Sequence, residues 1–182
     1  MTTAPDVDAA LGRCVEATRA LFSAAACSVA LVDDDGGTLE FVASDGAGSD
    51  AIVGVTIPVS RGIAGWAAMS GQPIAVRDVQ TDPRFARDVA ESTQYVPDAI
   101  YAAPMLDAEG EVLGVVSVLD PVLDETSDWT LHVLGTIAGL IAVVTTTTTE
   151  ASEPESQPLA KLGSEVLGLV ASWQAGEPGR QG

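Results

Sequence analysis

Chemistry is first to be sought in residues 61–79, RGIAGWAAMSGQPIAVRDV. Gly62 and Gly65 stand at the start of a short helix that Gly71 closes, and the free N–H groups of a helix start can hold an anion. A phosphate loop adds Lys and then Ser or Thr after its glycines, and neither follows Gly65. A nucleophile elbow sets its serine between glycines, a pattern that Ser60 and Ser70 lack. The stretch therefore reads as scaffold, with Gly62 and Gly65 letting the backbone turn and pack closely. Arg61, Arg77, Arg84 and Arg87 cluster here and offer an anion some charge. Aspartates are interleaved with them, and pairing of Arg84 with Asp78, Asp82 or Asp88 is the ordinary structural use.

Elsewhere the reactive groups do not assemble. His132 is the single histidine, on an expected helix, and reads as a surface or interface residue. Cys14 and Cys27 fall on an expected helix and strand, where cysteine is usually a small apolar filler. The acidic sets Asp33-Asp34-Asp35 and Asp107/Glu109/Glu111 sit at hairpin turns without the oxygen-ligand spacing of a calcium loop. No His/Cys set supports zinc or iron. No catalytic residue, metal site or cofactor is expected.

Composition narrows the partners. The 182 residues carry 26 acidic against 8 basic side chains, a net charge of −18. Nucleic acids and anionic membranes both require clustered positive charge, so neither is an expected partner. The opening residues do not read as a secretory signal. The apolar run at 137–144 is too short to span a bilayer, and the expected location is the cytoplasm. The hydrophobic fraction of 47% can build a core, but with 4% aromatic residues that core must be aliphatic.

The elements that would position these groups follow from periodicity. Residues 6–26 read as a helix on Val7, Leu11, Val15, Leu21 and Phe22. Strands at 27–33 and 38–44 flank the turn signal DDGG. A short strand (55–60), the glycine-bracketed helix, a strand in 73–79 and a helix-like segment (81–95) come next. A second hairpin pairs 100–106 with 111–119. A helix over 126–144 carries Trp129, Val133, Ile137, Leu140, Ile141 and Val144 as its apolar stripe, and the threonines at 145–149 are expected to stop it. Strands joined by tight hairpins are antiparallel, which predicts an α+β fold with terminal helices on one sheet face and the central insertions on the other.

With its particular residues this layout resembles the GAF sensory domain. The resemblance is carried by IPVSRGIAGWAAMSGQPIAVRDVQTDPRF, AAPMLDAEGEVLGVVSVLD and TSDWTLHVLGTIAGLIAVV, with Gly62/Gly65, Asp82-Pro83-Arg84-Phe85, Pro104 and Gly114 as the pattern residues. It implies a six-stranded antiparallel sheet with a small-molecule pocket on the insertion face. It places Ile63, Ala64, Phe85 and Thr93 at ligand-contact positions, and Trp66, Asp78, Arg84, Tyr95 and Tyr101 complete the candidate set. Ile63 and Phe85 read equally well as cavity filling. Nucleotide-binding relatives carry an Asn- and Lys-bearing signature, whereas this chain has no Asn and its single Lys is Lys161. Chromophore-binding and sulfoxide-reducing relatives use cysteines in the pocket or central loops, and none lies there.

The expected organisation is a loose start (1–5), a GAF-like domain (6–145), a polar linker (146–158), an amphipathic helix (159–175) and a tail (176–182). Leu159, Leu162, Val166, Leu169 and Trp173 form the apolar stripe of that last helix, which is expected to dock on a protein partner or a neighbouring subunit. Val15 and Leu21 on the first helix, and Leu134 on the closing one, stand off the stripes and point to a homodimer through 6–26 and 126–144. The expected function is a non-catalytic sensory module that binds a small molecule, dimerises or recruits a partner. The alternatives are a reductase-like enzyme of this fold and a structural dimerisation domain with a filled pocket.

Overall fold

The computed structural model describes residues 5–122 and 128–152. Helix α1 (Pro5–Leu21) leads into strands β1 (Ala26–Val32) and β2 (Thr38–Gly46). A one-turn helix α2 (Ser49–Ile52), strand β3 (Thr56–Pro58) and helix α3 (Gly62–Ser70) follow. Strand β4 (Ile74–Arg77), a 3-10 turn (Val79–Thr81) and helix α4 (Arg87–Ser92) precede β5 (Ala99–Leu106), β6 (Val112–Leu119) and α5 (Asp128–Ser152). The six strands form one antiparallel sheet in the order β3-β2-β1-β6-β5-β4, the α+β sheet expected.

Each central strand alternates its side chains between two apolar clusters, as a pleat with both faces covered requires. Cys27, Val29, Leu31, Tyr101, Met105, Val116 and Val118 pack with α1 and α5. Ala30, Phe41, Ala102 and Val115 pack on the other side with Ile63, Ala67 and Val79. Turn carboxylates fix the two hairpins. Asp33 accepts the N–H groups of Gly37 (2.7 Å) and Thr38 (3.0 Å) and the Thr38 hydroxyl, and these bonds hold its pKa below the ordinary value. Asp107 accepts the N–H groups of Glu109 and Glu111.

The helices depart from expectation in their length and facing. α1 ends at Leu21, short of residue 26, because Ser23 takes a left-handed φ of 47° and turns the chain into β1. Val15 does not stand off the core but is fully buried with Leu11, leaving Leu21 exposed. On α5 the buried stripe is Thr130, Leu134, Ala138, Ile141, Ala142 and Thr145. Leu134 is therefore core, while Trp129 and Leu140, expected inside, are exposed.

The threonines do not stop α5, which runs to Ser152 through what reads as the start of a linker. Thr145 and Thr146 return their hydroxyls to the carbonyls of Ile141 and Ala142, which satisfies the polar group inside the helix. The window Trp129–Thr146 reaches a mean hydropathy of 1.6 and has the length to cross a membrane, with 33% of it buried in the fold. The linker beyond 152 and the amphipathic segment 159–175, with Leu159, Leu162, Val166, Leu169 and Trp173, lie outside the described residues.

The insertion face is closed by α3 and the segment from Asp78 to Ala99. At the head of α3, Gly62 takes φ 74°. A Cβ on Gly65 would lie 2.3 Å from the Val59 carbonyl oxygen, so that glycine lets the helix seat against the chain leaving β3. Behind it, the Asp82 carboxylate accepts the Arg84 N–H and Nε at 2.9 Å each and Nη2 at 2.6 Å. The Arg84 guanidinium also lies over the Trp66 ring, 5.3 Å from its centroid. Arg61 pairs with Asp88, and Arg87 donates to the Gln80 carbonyl.

Two outcomes follow. Gly65→Ala should cost about 1–3 kcal/mol by overpacking against rigid backbone, read as a lower urea midpoint, whereas Gly71→Ala meets no neighbour within 4 Å and adds only left-handed strain. The Arg84 side-chain bonds hold the Asp82 carboxyl down to about 2 from an ordinary 3.8. A depressed carboxylate stabilises the fold above its unfolded pKa and loses that contribution as pH falls through the folded one, here from about 4 to about 2. Arg84→Leu should move the Asp82 midpoint up toward 3.8 in a carboxyl-detected NMR titration.

Candidate ligand pocket

Between the sheet and its insertion-face cover lies a cavity of about 110 Å³. Its floor is the cover-facing side of β1, β2, β5 and β6, with Ala26, Ser28, Phe41, Ser44, Ile100, Ser117 and Leu119. Its walls are Ile52, Ile57, Gly62, Ile63 and Ala64 on one side, and Phe85, Ala86, Val89, Ala90, Thr93, Tyr95 and Pro97 on the other. No charged side chain is among these lining residues.

Five of the nine candidate ligand residues line this cavity, namely Ile63, Ala64, Phe85, Thr93 and Tyr95. The other four do not, each for a definite reason. Tyr101 is buried among the α1/α5 cluster, because its place in β5 has the opposite parity to Ile100 and Ala102. Asp78 takes a left-handed φ of 52° at the head of the 3-10 turn. Arg84 is held by Asp82, and Trp66 lies beneath Arg84. The arginine cluster thus braces the cover from outside the cavity.

The far wall is anchored by Asp120, which itself adopts φ 47°. One carboxylate oxygen accepts the N–H groups of Asp98 (2.9 Å) and Ala99 (2.7 Å), and the other accepts the Tyr95 hydroxyl. Burial, followed by the Asp120 hydrogen bond, raises the Tyr95 pKa above that of free tyrosine. Tyr95 is therefore a neutral donor whose proton is engaged. Thr93 gives its hydroxyl to the Ala90 carbonyl at 2.8 Å.

A surface depression adjoins the cavity and shares Ala47, Gly48, Thr93 and Tyr95 with it. This seam between residues 46–51 and 93–95 is tight: a Cβ on Gly48 would lie 3.1 Å from the Thr93 carbonyl oxygen. Asp50 stands on its rim.

The groups capable of covalent or redox chemistry lie across the sheet. Cys27 belongs to the α1/α5 cluster, where burial is the main cause pushing its thiol up to about 12. It is protonated at neutral pH and unreactive. Cys14 is half-buried on α1, and His132 lies exposed on α5.

Sequence reasoning missed Ser28, Ser44 and Ser117. The signal available was parity: each serine occupies a cover-facing position in a strand whose other cover-facing residues are mostly apolar.

Comparison with known proteins places the fold. The GAF domain model matches residues 6–144. The GAF domain of an Acinetobacter phosphoenolpyruvate-protein phosphotransferase superposes with a TM-score of 0.67 at 18% identity, covering 80% of this chain and 85% of that one. Residues 122–287 of a methyl-accepting chemotaxis protein give 0.68 at 19% identity, with 81% and 93% coverage. A free methionine-R-sulfoxide reductase from Neisseria meningitidis gives 0.65 at 21%, with 80% and 81% coverage. At the sequence level, the dual 3',5'-cyclic-AMP and -GMP phosphodiesterase 11 of Drosophila melanogaster is 35% identical over 66 residues, 36% of this chain. That match covers only 4% of the phosphodiesterase. With the family match spanning most of the sequence and the sheet order and two-sided cover in agreement, this chain belongs to the GAF domain family.

Proposed function

We propose that this chain is a regulatory, non-catalytic GAF module that binds a small molecule on one face of its sheet and associates through the other. The observation that carries the reading is the division of the two faces. The cavity lies under the cover, whereas α1 and α5 leave an apolar groove on the opposite side, lined by Cys14, Ala17, Thr18, Leu21, Ile137, Leu140, Ile141 and Val144. None of those eight residues is charged. A second copy of a chain with net charge −18 meets least repulsion on such a face, and the exposed Leu21, Leu140 and Val143 supply apolar area.

The competing reading is a reductase, favoured by the likeness in fold to the methionine sulfoxide enzyme. Against it, both thiols of the chain lie away from the cavity, and thiol-based reduction requires an accessible thiolate beside the substrate. A cyclic nucleotide is disfavoured on size and charge. The cavity is well below the volume usual for drug-sized ligands, roughly 300–1,000 Å³, and no cation lines it.

Three measurements test the proposal. Xenon should occupy the cavity and perturb the NMR signals of Ile63, Val89 and Ile100; unperturbed signals there would count against a ligand pocket. Free methionine-R-sulfoxide incubated with the protein and dithiothreitol should remain unconverted by mass spectrometry, and turnover would restore the reductase reading. Light scattering at micromolar concentration should give a dimer that Leu21→Glu with Leu140→Glu converts to a monomer. Both side chains are exposed, so the paired substitutions should change the stability of each subunit by no more than about 1 kcal/mol. A wild-type monomer at that concentration would remove the dimer from the proposal.

A further inference from the structure

Three serines stand in line across the cavity floor. In the register of the central strands Ser28 pairs with Ser44 of β2 on one side and with Ser117 of β6 on the other. Neighbouring strands are about 4.8 Å apart, so the hydroxyls form a polar strip about 10 Å long in a mostly apolar cavity whose other hydroxyls, on Thr93 and Tyr95, are engaged by the Ala90 carbonyl and the Asp120 carboxylate. Ser44 donates its proton to the Cys27 carbonyl at 3.2 Å. Ser28 and Ser117 are buried, yet neither hydroxyl has a hydrogen-bond partner among the described residues. No polar side-chain atom sealed from solvent lacks a partner among those residues, which leaves these two hydroxyls open to whatever fills the cavity.

A hydroxyl kept in an apolar setting without a partner costs free energy, on the order of 1–3 kcal/mol. Two adjacent ones are therefore completed by the occupant, whether water or ligand. Serine hydroxyls both donate and accept. Together they match a single hydroxyl, which needs one acceptor and has room for one donor, or a carbonyl, which takes two donors. They do not match an ion. A carboxylate or phosphate would enter without a cation, past Asp50 on the rim and into a chain of net charge −18. An ammonium would find no carboxylate in the lining. Bringing either in unpaired carries the full desolvation cost of the charge. Size sets the remaining limit. A dry apolar cavity of about 150 Å³ accepts benzene, so about 110 Å³ sets one compact ring or a short chain as the upper limit.

We propose that the cavity is selective for a small uncharged molecule bearing one hydroxyl or carbonyl group. Its polar atom is held between Ser28 and Ser117, and its apolar body packs against Ile63, Phe85, Val89 and Ile100. This rests on the ligand-binding reading of the cavity and names its chemistry. The seam between residues 46–51 and 93–95 borders both the cavity and the surface depression.

Titration of the full chain with benzene, phenol and benzoate, followed by NMR shifts of the lining residues, tests it. Phenol should bind roughly three- to tenfold more tightly than benzene, the increment of one net hydrogen bond, and benzoate should not bind measurably. Ser28→Ala and Ser117→Ala should each bring phenol toward the affinity of benzene while leaving benzene binding unchanged, which separates a lost hydrogen bond from a damaged fold. Equal binding of benzene and phenol in the wild type, or serine variants that bind phenol normally, would overturn the assigned chemistry and leave the pocket standing. Tighter binding of benzoate than of phenol would do the same. Failure of both neutral probes, with xenon also excluded, would overturn the pocket itself and this inference with it.

Discussion

β1 is hydrogen-bonded along both edges, to β2 and to β6, and the facing of every residue on the cavity floor is inherited from that double pairing. Because side chains alternate with a period of two, a slip of one residue would exchange the two faces. Ser28 would then leave the cavity for the helix side, and Cys27 would take its place. The slip is opposed on both sides at once, since Val29 and Leu31 would leave the α1/α5 cluster as Ala30 left the other. The register is thus fixed by burial, and the polar strip on the floor is a by-product of a pairing that apolar packing enforces.

The cover is built differently. α2 and α4 bury no residue of their own, and neither receives a side-chain cap. The segment from Asp78 to Ala99 buries Val79 and packs Phe85 and Val89 on the sheet, and it is further tied by Asp82 with Arg84, Arg61 with Asp88, and the carboxylate of Asp120 drawing Tyr95, Asp98 and Ala99 onto the end of β6. Exposed ion pairs contribute little each. Regions with few buried apolar contacts are those that open most readily, and here they surround the seam beside the cavity.

Much of this was legible in the sequence where local chemistry decides structure. The DDGG turn, the antiparallel order, the glycine-bracketed α3 and the assignment of helices and insertions to opposite faces all follow from turn residues and periodicity. Facing was harder to read. Tyr101 looks like a pocket aromatic, but one step of strand parity separates it from Ile100. On α5, Trp129 and Leu140 are bulkier and more apolar than Thr130, yet they are exposed while Thr130 and Ala138 are inside, because the helical period that puts Leu134 and Ile141 on the sheet carries Thr130 and Ala138 with them. The threonine run reads as a stop on propensity alone, yet α5 continues through it, with the Thr145 and Thr146 hydroxyls bonded back to the carbonyls of Ile141 and Ala142. α2 is a single turn of four residues, too short for any period to register.

The two apolar clusters are separated by one layer of backbone. Cys27 and Val29 touch the helix side while Ser28 between them faces the cavity. Close-packed interiors compress little, so the sheet behaves as a diaphragm: a change in strand spacing or twist at its floor cannot be absorbed within the layer. It must appear at the residues carried on the reverse side, where Leu11 of α1 and Leu134 and Ile141 of α5 share a cluster with them. The thinness of the wall leaves the cavity floor and the packing surface of both terminal helices on opposite sides of the same strand backbone.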